Sequence, residues 1–225
     1  MTQTTPWLAS CALSAALVLG CGARDTCTSS LACGGSLVCG HDGACVALAE
    51  VPETLLARSE RLAPRDWAVT RTDALADVVP ARDSLEVGGE HDSQVHLAFG
   101  PLPSGRIARA VLSLEPHETA PRVTRPLTLV VARTSPFLGA GLTRHRAPSE
   151  LDPKVERTVV AGPLPPLHVD VTELALAARR QGGDRIDLVL RIIGSQGALV
   201  YADVRAADSD ARPRLDVLTA RAGAP

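Results

Sequence analysis

From residue 93 onward the chain alternates apolar and polar side chains with a period of two, and this alternation restricts it to half-buried β-strands. Val95, Leu97 and Phe99 share one face of the first such run, and Ala108, Ala110, Leu112 and Leu114 share one face of the next. Leu127, Leu129 and Val131 repeat the pattern, as do Ile186, Leu188, Leu190 and Ile192. Shorter runs at 75–79, 84–87, 155–160, 167–171, 199–204 and 214–218 are further strand candidates. Turn-forming residues separate them: Gly88-Gly89, Pro101 to Gly105, Pro163 to Pro166, Gly182-Gly183 and Gly194 to Gly197. Residues 172–180 break the rule, because they are rich in helix formers, follow a capping-type residue and end before Gly182. Many short strands with one short helix predict an all-β, jelly-roll-like β-sandwich over 66–220.

The six cysteines, Cys11, Cys21, Cys27, Cys33, Cys39 and Cys45, all precede that domain. Residues 7–20 are an apolar run too short for a comfortable transmembrane helix, which needs roughly 20 residues, but suited to the core of a secretory signal. The residues before the run carry no Lys or Arg, which is atypical of such signals. The run ends Val18-Leu19-Gly20-Cys21, which is similar to the bacterial lipobox. That similarity implies cleavage after Gly20, lipidation of Cys21 and residence in the cell envelope, with Gly22 directing the product to the outer membrane. Each buried acyl methylene contributes about 0.8 kcal/mol, so a multiply acylated cysteine is a membrane anchor. The alternative is an ordinary signal peptide with Cys21 as a fifth exported cysteine.

Cys27, Cys33, Cys39 and Cys45 recur at equal spacing among Gly, Ser and Asp turn residues. A segment this small buries too little surface to fold unaided, so disulfide bonds in an oxidising compartment are the expected cross-links. Three pairings are open. A zinc site would need reduced thiolates and closer spacing. The expected organisation is therefore a signal at 1–20, an anchor and disulfide-rich segment at 21–48, a linker at 49–65 and a sandwich at 66–220.

Four stretches in this order resemble the DNRLRE domain family, jelly-roll domains that overlap carbohydrate-binding modules. They are Ala76-Asp77 through Pro80 to Leu85-Glu86-Val87-Gly88; Leu102-Pro103-Ser104-Gly105 through Leu114; Asp170-Val171-Thr172-Glu173-Leu174; and Pro213-Arg214-Leu215-Asp216-Val217. The resemblance spans 66–218 and implies a non-catalytic domain that binds glycan or another envelope component. The family's mid-domain tryptophans are absent, their place being taken by Phe137 through Leu142 to Pro148.

Sugar binding relies on exposed aromatic faces, and beyond the signal only Trp67, Phe99, Phe137 and Tyr201 supply them. Phe99 belongs to an apolar face, so Tyr201, with Asp203 beside it, and Trp67 are the expected surface candidates; the alternative for all three is packing. Asp208 and Asp210 are weak calcium candidates without the length of an EF-hand loop. Asp170 and Thr172 precede the helix and read as caps. His91 and His96 would point to opposite faces of one strand, so they do not form a metal pair.

No catalytic residues stand out. The chain lacks a Gly-x-Ser-x-Gly elbow and has no cysteine nucleophile after Cys45. The charge is a scattered net −2, without a basic stripe for nucleic acid or a glycine-rich loop for a nucleotide. The expectation is a non-catalytic lipoprotein, with no cofactor beyond a possible calcium ion. Its partners are the membrane through its lipid and a polysaccharide or envelope protein through its sandwich. The alternative is a structural or protein-interaction scaffold with no sugar-binding activity. A hydrolase would need a clustered acid–base pair that the linear sequence does not display.

Overall fold

The computed structural model describes residues 37–39, 45–47, 56–72, 84–194 and 197–220. The expected signal and Cys21, Cys27 and Cys33 lie outside these residues, as does the strand candidate at 75–79. In the cysteine segment β1 (Leu37–Cys39) pairs antiparallel with β2 (Cys45–Ala47), a register that sets Cys39 opposite Cys45 in the backbone.

The rest is an all-β sandwich. One sheet has four strands in the order β10 (Leu167–Asp170), β7 (Arg106–Leu114), β13 (Arg214–Ala220), β3 (Leu56–Leu62). The other has five, in the order β4 (Pro64–Thr70), β6 (Gln94–Phe99), β11 (Ile186–Ile193), β8 (Leu127–Thr134), β9 (Glu150–Val159). A ribbon of β5 (Ser84–Gly88) and β12 (Ala198–Ala202) is bridged to the segment after β7 through Pro116 and Tyr201. These strands pair antiparallel throughout the described residues. The helix α1 (Thr172–Arg180) follows β10 and buries Leu174, Ala175 and Ala178 in the same core.

The alternation places the core correctly. Val95, Leu97, Phe99, Leu129, Val131, Leu188 and Leu190 from one sheet join Ala110, Leu112, Leu114, Leu215 and Val217 from the other in one apolar cluster. Two expectations are corrected. The linker foreseen over 49–65 is, from Leu56, strand β3, paired with β13 from Leu215↔Leu62 to Ala220↔Leu56. Its polar stretch Arg58-Ser59-Glu60-Arg61 hides the alternation because the strand lies at a sheet edge. In β7 the register shifts where Leu218 faces Arg109 and Thr219 faces Ile107, so Ile107 takes the inward place expected of Ala108.

At the start of α1 the carboxylate of Asp170 accepts from the Thr172 N–H at 2.9 Å and from its hydroxyl. The Thr172 hydroxyl oxygen in turn accepts from the buried Ala110 N–H at 2.9 Å. The cap position itself is Val171, so the expected caps are corrected: Asp170 satisfies the first helical N–H from one residue further back, and Thr172, already inside the helix, ties it to β7. Gly182, at φ +77, supplies the left-handed turn that ends the helix.

Candidate functional site

The expected sugar platform lies in the wall of the core. Tyr201 faces inward from β12 with 1% of its surface exposed, and its hydroxyl is buried without a hydrogen-bond partner. Burial raises the pKa of that phenol well above its ordinary value. The surface position expected of Tyr201 is thus corrected: in β12, Leu199 and Tyr201 share the inward parity. Asp203, also expected at the surface, is fully buried. One of its oxygens accepts from the Val204 N–H at 2.6 Å, and the other accepts from Arg205 Nε and Nη2 at 2.9 and 2.7 Å. The Arg205 guanidinium lies over the Trp67 ring, 5.2 Å from its centroid. Trp67 itself is half-buried on β4 and packs against the main core. Arg205 thus links Asp203 to Trp67, while Tyr201 lies inside the core.

Asp208 and Asp210 line an open groove of about 570 Å³ together with Arg61, Glu115, Ala211 and Arg214. Asp210 pairs with Arg61 at 3.0 Å, its main-chain carbonyl accepts from Arg214, and Asp208 accepts from the Asp210 N–H at 2.9 Å. Arg214 also pairs with Glu115 at 3.4 Å and Asp216 at 3.5 Å. Carboxylates in this groove thus already face guanidinium groups, which a calcium ion would have to displace. Among the described residues no group of three or more His, Cys, Asp and Glu side chains is arranged to hold a metal.

The polar cluster that sequence reasoning missed lies on the opposite face of the five-stranded sheet. There His96 stands between Ala68 of β4 and Val189 of β11, its direct cross-strand neighbours. The segment 135–149 arches over this face, and a hydrogen bond of 3.0 Å from Ser135 N–H to the Ser149 carbonyl closes its base. We call this segment the strap. Phe137 covers the His96 ring edge-on at 5.6 Å, and Phe137 and Leu142 form a small apolar cluster with Ala68 and Ala98. The strap is pinned through two carboxylates of the sheet. Asp66 accepts from the Gly139 N–H at 2.8 Å, and Asp187 is bound by Arg185, which also donates to the Phe137 carbonyl at 2.6 Å. At its far side Arg144 pairs with Asp92 at 2.9 Å. Gly139 is required here because a Cβ would lie 2.3 Å from the Trp67 carbonyl oxygen.

His96 is 1% exposed; its Nε2 lies 3.2 Å from the Thr70 hydroxyl, while Nδ1 is buried without a partner. Burial, reinforced by the Arg144 charge, lowers its pKa to about 4, and Glu150 opposes that only in part. Burial likewise raises the Asp187 carboxyl, against the hydrogen bond from Arg185. Glu150 is held low mainly by its hydrogen bond from Arg191, 2.6 Å away. His91 is not on β6 at all: it sits in the preceding turn, and its carbonyl accepts from the Thr72 N–H and hydroxyl. The signal that could have exposed this cluster is Phe137-Leu138, an apolar pair inside a loop that would otherwise be polar. Phe137 is buried and Leu138 is not.

No protein-family model matches the chain, and no curated protein matches it.

Proposed function

We propose that this chain is a non-catalytic, exported lipoprotein whose β-sandwich is a structural or protein-interaction scaffold held at a membrane by Cys21. One observation carries the choice of scaffold over sugar binder. Tyr201 is inside the core and Trp67 lies beneath Arg205, so the aromatic faces that a sugar would stack on are already used. Export and anchoring rest on the sequence alone, on the apolar run 7–20 and its ending Val18-Leu19-Gly20-Cys21. The DNRLRE-like order of motifs supports a jelly-roll reading of the sandwich, and is the reason to test glycans at all.

The test is a glycan-array and polysaccharide pull-down screen of the full mature chain, with and without calcium. The scaffold reading expects no saturable binding to any glycan from protein shown to be folded. Saturable binding lost in Trp67→Ala or Arg205→Ala would overturn it and place a sugar site at Trp67.

A further inference from the structure

We propose that the strap, residues 135–149, is an acid-released cover that lies closed over a neutral His96 and lifts from the sheet when that imidazole takes up a proton. The geometry makes the ring a poor place for a positive charge. A neutral ring can bond the Thr70 hydroxyl through Nε2 and leave Nδ1 as a bare lone pair, which costs less to bury than an unbonded N–H. A protonated ring has two N–H donors, and the second, at Nδ1, is buried with no acceptor among the described residues. The cross-strand neighbours of His96 are Ala68 and Val189, whose side chains cannot accept a hydrogen bond from it.

The charged groups around the ring are all committed elsewhere. On the strap, Arg144 repels a cation at His96 and is paired with Asp92 from the turn before β6. On β9, Glu150 attracts one but is bound by Arg191 of β11 and by Lys154. Asp187 of β11 is bound by Arg185, and Asp66 of β4 by the amides of Trp67 and Gly139. The sheet strands beside His96 are locked by ladder hydrogen bonds, whereas the strap, closed at its base by one backbone bond, is held over the sheet by a few side-chain contacts. The strap is therefore what yields, and lifting it would hydrate Nδ1 and uncover Phe137 and Leu142.

The test is hydrogen exchange of the full chain at pH 7.5 and pH 4.5, corrected for the intrinsic pH dependence of exchange. With His96 titrating at about 4 when covered and near 6.5 when open, the strap amides should open on the order of fifty-fold more often at the lower pH. Amides of β6 and β11 should stay protected. In His96→Gln, which cannot be protonated, the strap should remain protected at both values. Equal protection of the wild-type strap at both pH values, or the same acid opening in His96→Gln, overturns the proposal. Should that variant fail to fold, the wild-type chain supplies a second readout through NMR titration of the His96 ring. Strap opening must follow the His96 midpoint, and opening with an unrelated midpoint also overturns it.

Discussion

Tyr201 shows how one side chain can be placed for volume alone. Its ring fills the core beside Leu85 and Leu199, while its hydroxyl has no partner there. An unpaired buried hydroxyl lowers stability, so Tyr201→Phe should leave the protein unchanged or stabilise it by up to about 1 kcal/mol. Tyr201→Ala should cost about 3–5 kcal/mol through the cavity it leaves. Urea midpoints of the two variants test both, and a large loss in Tyr201→Phe would mean that the hydroxyl is bonded after all. Gly139 makes the converse case, a residue kept for its lack of volume. Gly139→Ala forces the strap away from the Trp67 carbonyl and should cost about 1–3 kcal/mol, with faster exchange confined to strap amides.

Among the elements, α1 depends on a contact outside itself. Thr172→Val keeps the shape of the side chain but leaves the buried Ala110 N–H without an acceptor, a loss of about 1–3 kcal/mol that thermal unfolding would register. Thr172→Ser, which keeps the oxygen, should recover most of it. The helix and the inward faces of β6, β8 and β11 were legible in the sequence because period and capping chemistry are local properties. Strand β3 was not, since an edge strand such as Arg58-Ser59-Glu60-Arg61 has little apolar face to show. The strap was equally hidden. Parity puts His96 on the face opposite Val95 and Leu97, and only the fold brings Phe137 across the sheet to bury it. Tyr201 could have been read correctly from its shared parity with Leu199. The edge strand β9 illustrates a different kind of control, because Pro153 and the exposed charges Asp152, Lys154, Glu156 and Arg157 discourage a second chain from pairing there.

At the scale of the whole molecule, buried His96 makes stability depend on pH with a definite sign. Its folded value of about 4 lies below the roughly 6.5 of an unfolded chain, so the unfolded state binds the proton more readily. The contribution is complete above pH 6.5 and is lost as pH falls toward 4, by up to about 3 kcal/mol. Glu150, held low by Arg191, adds a loss of the same sign as pH drops through and below the carboxylate range. Subtracting the urea stability profile of His96→Gln from that of the wild type isolates the imidazole, and a flat difference between pH 7.5 and 4.5 would rule out that contribution. Function also belongs to this scale. The buried ring of Tyr201 and the pairing of Arg61, Arg144, Arg191 and Arg214 with carboxylates are what support the proposed scaffold. The central claim is therefore the tether. The direct measurement is the intact mass and membrane partition of the chain expressed with its own N-terminus in a bacterial host. The account predicts a product that begins at Cys21, carries acyl chains and sediments with membranes, and that becomes soluble in Cys21→Ala. A chain that keeps residues 1–20, or a mature chain with an unmodified Cys21 in the soluble fraction, would contradict it.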